Sequence, residues 1–393
     1  MIIFIKILFW ICTFLLVYTY FLYPLLMSFL AKNKQINKIV YSPNELPTVA
    51  IVIAAYNEEK VIEDKLISSL KTNYPSNKFQ IFIGSDCSSD NTNAVINKIV
   101  NTTDKITFFN YKERSGKQEV LNKMFSKGIS TEKFDVCIMT DANIIFKEDT
   151  IHELVKHFKN ETLGIVCANI KNKNIKDKGI SKQEQFYISN ENQLKINEGK
   201  VFQSSIAAFG ACYAIRRKLI PKIPQNILME DFYISMSVLK NKKGIITEPN
   251  AICFEDLPQN VSEEFKRKKR ISTGNFQNLF IYYKLLWKSN FGIGFTFFSH
   301  KIIRWLGPFF MLGGYISLLY LYPFSPYYFL LHFTHLLICL AFIDYILMAV
   351  NINVNLLRLV RYFLSMNLAL FLGFIKFAQG VKTNIWQPTK RNE

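Results

Sequence analysis

The apolar residues of this chain are concentrated in a few long segments. Ile7–Leu30 holds 24 residues without a charge, more than the ~20 that a helix needs to cross a bilayer. After residue 287 the chain becomes apolar again, and three segments there carry at most one charge each: Trp305–Tyr322, Tyr327–Val350 and Tyr362–Gly380. The pattern predicts a retained N-terminal membrane anchor and about three C-terminal spans.

Charged residues lie mainly between these segments, and the contrast divides the chain into five parts. We expect an anchor at 1–31, a soluble domain at 32–285, an amphipathic interfacial segment at 286–304, spans at 305–380 and a basic tail at 381–393. The interfacial segment is predicted because His300, Lys301 and Arg304 stand among aromatic residues, a composition that suits a helix lying in the membrane surface.

Within the soluble domain, short apolar runs alternate with amphipathic helical patterns. Strands are predicted at Thr48–Ala54, Gln80–Ser85, Lys105–Asn110 and Asp135–Thr140. Helices are predicted at Glu58–Asn73, Ser89–Val100 and Lys117–Gly128. Such alternation is typical of an α/β fold with a mostly parallel, doubly wound sheet. Ligands of these sheets bind beyond the carboxyl ends of the strands, so functional side chains are expected there.

Composition limits the classes of partner. The chain has 393 residues, is 50% hydrophobic and carries a formal net charge of +18. So much apolar material excludes intrinsic disorder. The positive charge suits nucleic acid, an anionic membrane or an anionic substrate, and a general bias toward lysine explains it equally well. The cationic run at 266–270 lacks interleaved aromatic residues, so we expect no nucleic-acid partner.

Several common signatures are missing from the sequence. The seven cysteines are scattered without a CxxC pair. This argues against a disulfide framework and a structural zinc site, and it indicates a reducing compartment for the central region. Neither GxGxxG nor GxxxxGK[ST] occurs, so a dinucleotide site or a P-loop is unsupported.

Polar residues follow the first two predicted strands. Asn57 and Glu58 come after the first strand, and Asp86 begins the polar run Asp86–Thr92 after the second. Acidic and amide side chains at successive strand ends suit hydrogen bonds to a ribose and a pyrimidine, whereas phosphate would avoid the acids. Each segment taken alone is more often a helix cap or a turn.

Two further segments suit a diphosphate. Arg114–Lys117 opens a helix with a glycine and a lysine, an arrangement that binds anions or forms a solvated basic turn. Asp141 ends a buried strand and Asn143 follows two residues later. Such a pair can bind a hard divalent cation that also holds a diphosphate, and a plain turn is the alternative.

Two adjacent acids, Glu230 and Asp231, begin a later helix. They are either caps of the helix dipole or include a general base. Upstream, Phe209–Arg217 is rich in small residues, and Gly210 permits close approach of the backbone to a ligand. The cationic run at 266–270 binds lipid headgroups or phosphate, or forms a solvated helix face.

Taken together and in this order, these segments resemble the membrane-bound family 2 glycosyltransferases. The matching segments are Val49–Glu59, Asp86–Thr92, Gly116–Lys117, Asp141–Asn143, Glu230–Asp231 and Arg267–Gly274. They extend over about residues 48–275, and the flanking apolar segments also fit. The resemblance implies a GT-A, Rossmann-like domain flanked by transmembrane helices. It also implies inversion at the anomeric carbon and a role in the bacterial cell envelope or in exopolysaccharide synthesis.

The same resemblance implies a binding site for a nucleotide-sugar donor, UDP- or GDP-linked. Asn57 and Glu58 would lie at the nucleoside, and Asp86 at the base. Lys117 would face the diphosphate.

It likewise implies a metal ion, Mg²⁺ or Mn²⁺, and a catalytic base. Asp141 would sit at the nucleotide and the metal, with Asn143 in the place of a usual second Asp. Asp231 would be the base, with Glu230 beside it. It would accept a proton from the acceptor hydroxyl as that oxygen attacks the anomeric carbon.

The sequence departs from the family pattern at two places. Asn143 replaces an acid, and Arg267 and Arg270 occupy the Gln and Arg positions of a QxxRW element whose Trp is missing. We therefore favour a transferase that adds one or a few sugars over a processive exopolysaccharide synthase. A catalytically impaired membrane scaffold or polysaccharide-binding protein is the alternative of another class.

The basic loops predict the orientation in the membrane. Lys and Arg concentrate on the cytoplasmic side, which places the large domain in the cytoplasm at a bacterial inner membrane. Expected partners are a lipid-linked or saccharide acceptor, membrane lipids and other polysaccharide-biosynthesis proteins. With four spans the tail, which holds Lys382, Lys390 and Arg391, would fall outside against this rule. Either one span is re-entrant or the number of spans differs by one.

Overall fold

One eight-stranded sheet forms the centre of the soluble region. The computed structural model describes residues 1–173, 180–256, 261–350 and 352–381. The strand order is β3-β2-β1-β4-β7-β6-β8-β5. The strands are β1 Val49–Ala55, β2 Phe79–Asp86, β3 Ile106–Tyr111, β4 Val136–Asp141, β5 Ile145–Phe146, β6 Leu163–Lys173, β7 Cys212–Arg216 and β8 Gly244–Asp256.

Fifteen α-helices occur among the described residues. The first eight are α1 Ile2–Val17, α2 Tyr23–Ala31, α3 Ile62–Leu70, α4 Thr92–Val100, α5 Lys117–Lys127, α6 Thr150–Val155, α7 Ser181–Phe202 and α8 Glu230–Lys240. The others are α9 Val261–Tyr282, α10 Leu285–Lys288, α11 Phe291–Thr296, α12 Ile303–Trp305, α13 Gly307–Leu321, α14 Tyr327–Ala349 and α15 Asn355–Ala378.

The first four strands confirm the predicted parallel arrangement. β3, β2, β1 and β4 are parallel neighbours, and α3, α4 and α5 connect them in sequence. All seven residues of β1 are buried, as expected for a central strand covered on both faces. Beyond β4 the pattern changes, because β7 pairs antiparallel with both β4 and β6. The sheet as a whole is therefore mixed.

Two apolar layers cover the two faces of the sheet. Alternate residues of β1 point to opposite sides, as the strand period requires. Ile51 and Ile53 pack with residues of α3, α4 and α6. Ala50 and Val52 pack in the second layer, which includes residues of α5, α8 and α9.

Within the described part of the chain, three helices are long and apolar enough to cross a membrane: Ile2–Ala31, Tyr327–Ala349 and Asn355–Ala378. The first contains α1 and α2 joined by a π-helical turn. A fourth candidate is a pair, Phe291–Trp305 with Gly307–Leu321, which bends by 58° at the junction. The predicted span at 305–322 thus corresponds to α13, whose 15 residues are short for a crossing.

The last helix, α15, lies against α9 of the soluble region. The Ser272 hydroxyl donates to the carbonyl of Leu370 (2.8 Å), and that of Thr273 donates to the carbonyl of Gly373 (3.1 Å). The ring centroids of Phe276 and Phe374 are 5.0 Å apart. Composition had indicated a span here, yet one side of this helix is covered by protein.

The segment predicted to lie in the membrane interface is helical, but its basic residues face the protein. His300 is fully buried, and Lys301 and Arg304 both contact Glu191 of α7. The placement of this segment at the membrane surface stays a prediction. The basic tail beyond Val381 lies outside the described residues.

Candidate active site

The polar segments singled out in the sequence meet at one edge of the sheet. In the β-ladder Ala54 of β1 is paired with Gly84 of β2 on one side and with Asp141 of β4 on the other. Because parallel strands end at the same edge, the loops that follow β1, β2 and β4 lie side by side. Lys117 and Glu230 are the first residues of α5 and α8. Because Lys117 contacts both Asp141 and Glu230, the two helices begin at this edge.

Lys117 joins two of these segments. Its ammonium lies 2.7 Å from Oδ1 of Asp141 and 2.6 Å from Oε1 of Glu230. Burial lowers the pKa of Lys117, but the two carboxylates outweigh that effect and hold the pKa above its ordinary value. The lysine therefore remains cationic at neutral pH. Its side chain is 21% exposed and that of Asp141 is 38% exposed, so the bridge faces solvent.

Asp231 has different surroundings from the neighbouring acid. Its residue is 9% exposed, and Oδ1 accepts the backbone N–H of Phe232 (2.8 Å). Burial, followed by the nearby charge of Glu230, raises the pKa of Asp231 to about 6, although Lys117 acts in the opposite direction. A carboxyl group with this pKa is ionised at neutral pH and is a stronger base than an exposed Asp.

Gly210 lies directly against the Asp231 carboxylate. A Cβ built on Gly210 would come 2.3 Å from Oδ2 of Asp231, far inside van der Waals contact. The loop that carries Gly210 is held to α8 by Ser235, whose hydroxyl donates to the carbonyl of Asp231 (2.7 Å) and accepts the N–H of Ala208 (2.9 Å). Gly210 was predicted to let the backbone approach a ligand. In the structure it lets the backbone approach the carboxylate of Asp231.

The contacts of three side chains near the site were not predicted from the sequence. Tyr213 of β7 is 2% exposed, and burial, with Asp231 and Glu230 nearby, raises the pKa of its hydroxyl. The guanidinium carbon of Arg114 lies 3.5 Å from the ring centroid of Tyr56. A tyrosine in a buried strand and an arginine in a polar turn carry no sequence signal of such contacts.

Asn57 connects the loops after β1 and β2. Its φ angle is +52°, a conformation that Asn tolerates better than most residues. Its backbone N–H donates to the hydroxyl of Ser88 (3.1 Å), and its side-chain oxygen accepts the N–H of Ser89 (2.9 Å). Glu58 is buried, and its N–H donates to the hydroxyl of Thr92 (2.8 Å). Asn57 and Glu58, the residues predicted to bind the nucleoside, thus lie just beyond the carboxyl end of β1.

Asp86 fixes the start of α5. Its two carboxylate oxygens accept the N–H groups of Ser115 (2.7 Å) and Gly116 (2.9 Å). Gly116 has φ +87°, which glycine adopts without strain. Each carboxylate oxygen keeps further lone-pair capacity, so the predicted contact of Asp86 with the base stays a prediction.

The predicted metal ligands lie two residues apart, with Asp141 at the end of β4 and Asn143 in the turn that follows. One oxygen of Asp141 is engaged by Lys117, and the side chain of Asn143 is half-buried without a hydrogen bond to any described residue. No group of three His, Cys, Asp or Glu residues in the described chain could hold a metal ion. The residues still fit Mg²⁺ or Mn²⁺, which proteins often bind through one or two side-chain oxygens together with substrate phosphates.

The two arginines of the cationic run have different roles in the structure. Arg267 contacts Glu184 (3.1 Å) and Glu264 (2.9 Å), so its guanidinium is occupied by carboxylates. Burial lowers its pKa, but these carboxylates outweigh burial and hold it above the ordinary value. Arg270 stands one turn before Gly274, which packs against Met229 at the start of α8. The binding of the diphosphate by Arg267 and Arg270 stays a prediction.

Comparisons with known proteins decide the family. The profile of Glycosyl transferase family 2 matches residues 50–223, and that of Glycosyl transferase family group 2 matches residues 137–348, more than half of the chain. The chain belongs to glycosyl transferase family group 2. The family resemblance read from the motifs is thereby confirmed.

Curated proteins that are similar to this chain include polymer synthases. Poly-beta-1,6-N-acetyl-D-glucosamine synthase of Staphylococcus aureus (strain COL) is 27% identical over 242 residues, which are 60% of this chain and 56% of that protein. The synthase of the same name from Staphylococcus epidermidis is 25% identical over 276 residues, 65% of each chain. The chain thus spans little more than half the length of the first of these relatives.

A solved glycosyl transferase shares the fold of this chain. The mannosyltransferase PcManGT from Pyrobaculum calidifontis, solved in complex with GDP-Man and Mn²⁺, superposes with a TM-score of 0.72 at 20% identity. The alignment covers 94% of this chain and 99% of that one. It confirms the predicted GT-A architecture.

Proposed function

We propose that this protein transfers a sugar from a nucleotide-sugar donor to a membrane-associated acceptor, with inversion at the anomeric carbon. One observation carries the proposal: Lys117 bridges Asp141 and Glu230 beside the buried Asp231. A cation, two acidic segments and a candidate base therefore stand together at the strand edge where α/β folds bind nucleotides. Family membership supports the same reaction class.

Asp231 acts as the general base in this mechanism. A sugar hydroxyl is a poor nucleophile, and Asp231 accepts its proton as the oxygen attacks the anomeric carbon. The raised pKa of about 6 suits this role, because the group is both ionised and basic near pH 7. One base and one displacement give inversion without a covalent intermediate. Gly210 leaves the carboxylate open to the acceptor by having no side chain there.

Lys117 and the start of α5 stabilise the leaving nucleoside diphosphate. Its ammonium and the N–H groups at a helix N-terminus favour the negative charge that develops on the departing oxygen. Asp141 and Asn143 would hold a divalent cation, which supplies Lewis-acid stabilisation of the diphosphate when bound. The structural neighbour PcManGT was solved with Mn²⁺, which supports including Mn²⁺ as well as Mg²⁺ in any assay.

Asn57, Glu58 and Asp86 form the nucleoside end of the proposed site. Their loops are fixed to each other and to α5 by the hydrogen bonds to Ser88 and Ser115, so the site is largely preformed. Acidic groups there accept hydrogen bonds from a ribose or a base edge.

The experiment that tests the proposal is nucleotide release by the purified full chain in detergent. The panel should include UDP-N-acetylglucosamine and GDP-mannose, since the relatives' names refer to these sugars, each with Mn²⁺, Mg²⁺ or a chelator. We expect release from one donor that depends on the metal. Failure to release nucleotide from any donor, together with failure to bind any, would contradict the proposal.

A processive synthase is the second candidate, because the curated relatives are named as polymer synthases. Product length distinguishes it from single addition. In the same assay, products that elongate on one chain before others start indicate a processive enzyme. A product longer by one or a few sugars, spread evenly over acceptors, indicates the distributive enzyme that the missing QxxRW tryptophan favours.

We further propose that α1, α14 and the bent pair that ends in α13 cross the membrane, and that α15 lies at the cytoplasmic surface. The indole N–H of Trp10 in α1 donates to the hydroxyl of Tyr327 at the start of α14 (3.2 Å), so that end of α14 lies beside the N-terminal part of α1. α15 instead follows α9 of the proposed cytoplasmic domain. This arrangement returns the basic tail to the cytoplasm and removes the conflict with the positive-inside rule.

A further inference from the structure

Helix α3 carries a lysine that is completely buried. Lys65 is 0% exposed and stands on the face of α3 that includes the buried residues Ile62, Leu66 and Ser69. Lysine is almost never fully buried in a protein unless an anion is paired with it. The groups around this ammonium therefore decide whether its charge has a function.

The ammonium of Lys65 has two partners, and neither of them is an anion. It donates to the hydroxyl of Thr140 (3.0 Å) and lies 3.5 Å from the ring centroid of Phe146. Among the residues that the structure describes, no carboxylate lies within ion-pair distance of Lys65. A hydroxyl and an aromatic ring compensate only part of the cost of burying an ammonium, so its positive charge is not neutralised locally.

Both partners flank the turn that carries the candidate metal ligands. Thr140 precedes Asp141 at the end of β4, and Phe146 is the last residue of β5. The Thr140 hydroxyl, which accepts the hydrogen bond from Lys65, itself donates to the carbonyl of Asp141 (3.4 Å). Ser68 of the same helix accepts the backbone N–H of Phe146 (3.3 Å). Helix α3 thus contacts the turn on both sides and places the Lys65 ammonium behind it.

Lys65 is cationic at neutral pH and acts on Asp141. Burial lowers the pKa of Lys65 to about 8, and Cys212, Cys253 and Asp141 act in the opposite direction. A group with this pKa is mostly protonated at pH 7. Because the ammonium is shielded from water, its field is screened less than that of a surface lysine. The charge therefore contributes to the potential at the turn.

This charge changes the electrostatic balance of the candidate site. Lys117 contacts both Asp141 and Glu230, and the three groups together carry one net negative charge. Lys65 offsets that charge, and Asn143 adds none. A free divalent cation gains little from such a group, whereas a diphosphate is attracted by each positive charge near it.

We propose that Lys65 raises the affinity of the candidate site for a nucleoside diphosphate and lowers its affinity for a free divalent cation. Lys65 acts through the turn that carries Asp141, so it is a positioning residue. Packing alone does not account for the charge, because a methionine of similar length would fill the space without the cost of burying an ammonium. This inference rests on the proposed function, whose donor site it specifies.

Equilibrium binding to the full chain in detergent tests the inference. One arm measures the affinity for UDP and for GDP in the presence of a chelator, and the other measures the affinity for Mn²⁺ without nucleotide. In Lys65→Met we expect nucleotide binding to weaken by about threefold or more and Mn²⁺ binding to tighten by about threefold or more. Shifts of opposite sign identify an effect of charge, because a loosened turn would weaken the binding of both.

Lys71→Met is the matched control. Lys71 follows the last residue of α3 and is exposed. Water screens its charge, so both affinities should be unchanged in this variant. Lys65→Gln keeps a hydrogen-bond donor near Thr140 without the charge, and it should give the same opposite shifts as Lys65→Met. Thermal unfolding identifies any folding defect, and Lys65→Met should be at least as stable as the wild type.

The pattern of the two shifts decides the inference. Weaker binding of both nucleotide and Mn²⁺ in Lys65→Met would show that Lys65 only supports the turn, and this overturns the inference. Unchanged affinities overturn it as well. A wild-type chain that binds neither UDP nor GDP, with or without Mn²⁺, contradicts the proposed function. The Mn²⁺ arm then decides the role of Lys65, which tighter binding in Lys65→Met supports and unchanged binding refutes.

Discussion

Glu230 and Asp231 are adjacent in sequence but differ in the partners that surround them. Glu230 is paired with Lys117, whereas Asp231 has a single backbone donor at Oδ1 and an elevated pKa. Adjacent acids with different partners generally take separate roles. In the proposed mechanism, Glu230 orients the lysine and Asp231 remains available as a base.

The pKa of Asp231 predicts an acidic limb in the pH profile. The carboxylate must be ionised to accept a proton, so kcat/KM should fall as pH decreases below about 6. The fall should approach tenfold for each pH unit once the group is mostly protonated. Measuring kcat/KM from about pH 4.5 to 8 checks this, with thermal unfolding at each pH as the control. A profile that stays level through pH 5 in folded enzyme would contradict the assignment.

Gly210 provides a test of the geometry around the base. Gly210→Ala would place a methyl group 2.3 Å from Oδ2 of Asp231, so the carboxylate or the loop must move. We expect kcat to fall about 10- to 100-fold, in line with the cost of misplacing a catalytic group by an ångström.

Gly199→Ala is the control for that substitution. A Cβ on Gly199 would lie 3.6 Å from Ile246, an ordinary contact, and we expect activity close to the wild type. Equal activity of Gly210→Ala and Gly199→Ala would show that the Gly210 contact is not needed for catalysis.

At the scale of the element, the strands that hold the site were predictable and their later neighbours were not. β1, β2 and β4 are short buried runs with polar residues at their ends, a local pattern that sequence shows directly. The antiparallel insertion of β7 between β4 and β6 depends on pairing between distant residues.

Helix α15 shows what hydropathy alone leaves open. Its apolar length predicted a span, but hydropathy does not distinguish a helix side that meets lipid from one that meets protein. The close approach of α15 to α9 depends on Gly373, where a Cβ would come 2.4 Å from the Cβ of Ser272. The sequence shows the glycine but does not show that Ser272 of α9 packs against it.

Gly373→Ala should therefore loosen the contact between α15 and α9. Overpacking of this kind costs about 1–3 kcal/mol, which we expect as a lower thermal unfolding midpoint in detergent. Gly314→Ala is the matched control, because a Cβ there would lie 3.8 Å from Cys12. Equal midpoints for the two variants would argue against tight α9–α15 packing.

At the scale of the whole molecule, the helix that carries the proposed base lies close to the apolar helices, since the ring centroids of Phe232 and Trp305 are 5.4 Å apart. α7, α9 and the segment Phe291–Trp305 contact both the soluble sheet layers and the apolar helices. An acceptor embedded in lipid could reach Asp231 along this border, which suits transfer to a membrane-associated molecule. The closeness of the candidate site to the apolar helices is also compatible with a processive synthase that elongates a polymer.

The proposed orientation predicts the location of the two termini. With three crossings and α15 at the cytoplasmic surface, the C-terminus lies inside and the N-terminus outside. Green fluorescent protein fused after the C-terminal residue should fluoresce in bacterial cells, because it matures in the cytoplasm. Alkaline phosphatase at the same position should be inactive, and its activity there would show that α15 crosses the membrane.

The central claim is that Asp231 is the base of a sugar transfer, and replacing it is the most direct test. Asp231→Asn keeps size and removes the charge, and Asp64→Asn on α3 is the control at an exposed acid. With the donor and metal found active in the release assay, we expect transfer to fall about 10²- to 10⁴-fold in Asp231→Asn. Donor affinity and thermal stability should be retained. Transfer at the wild-type rate by a folded Asp231→Asn would contradict the account.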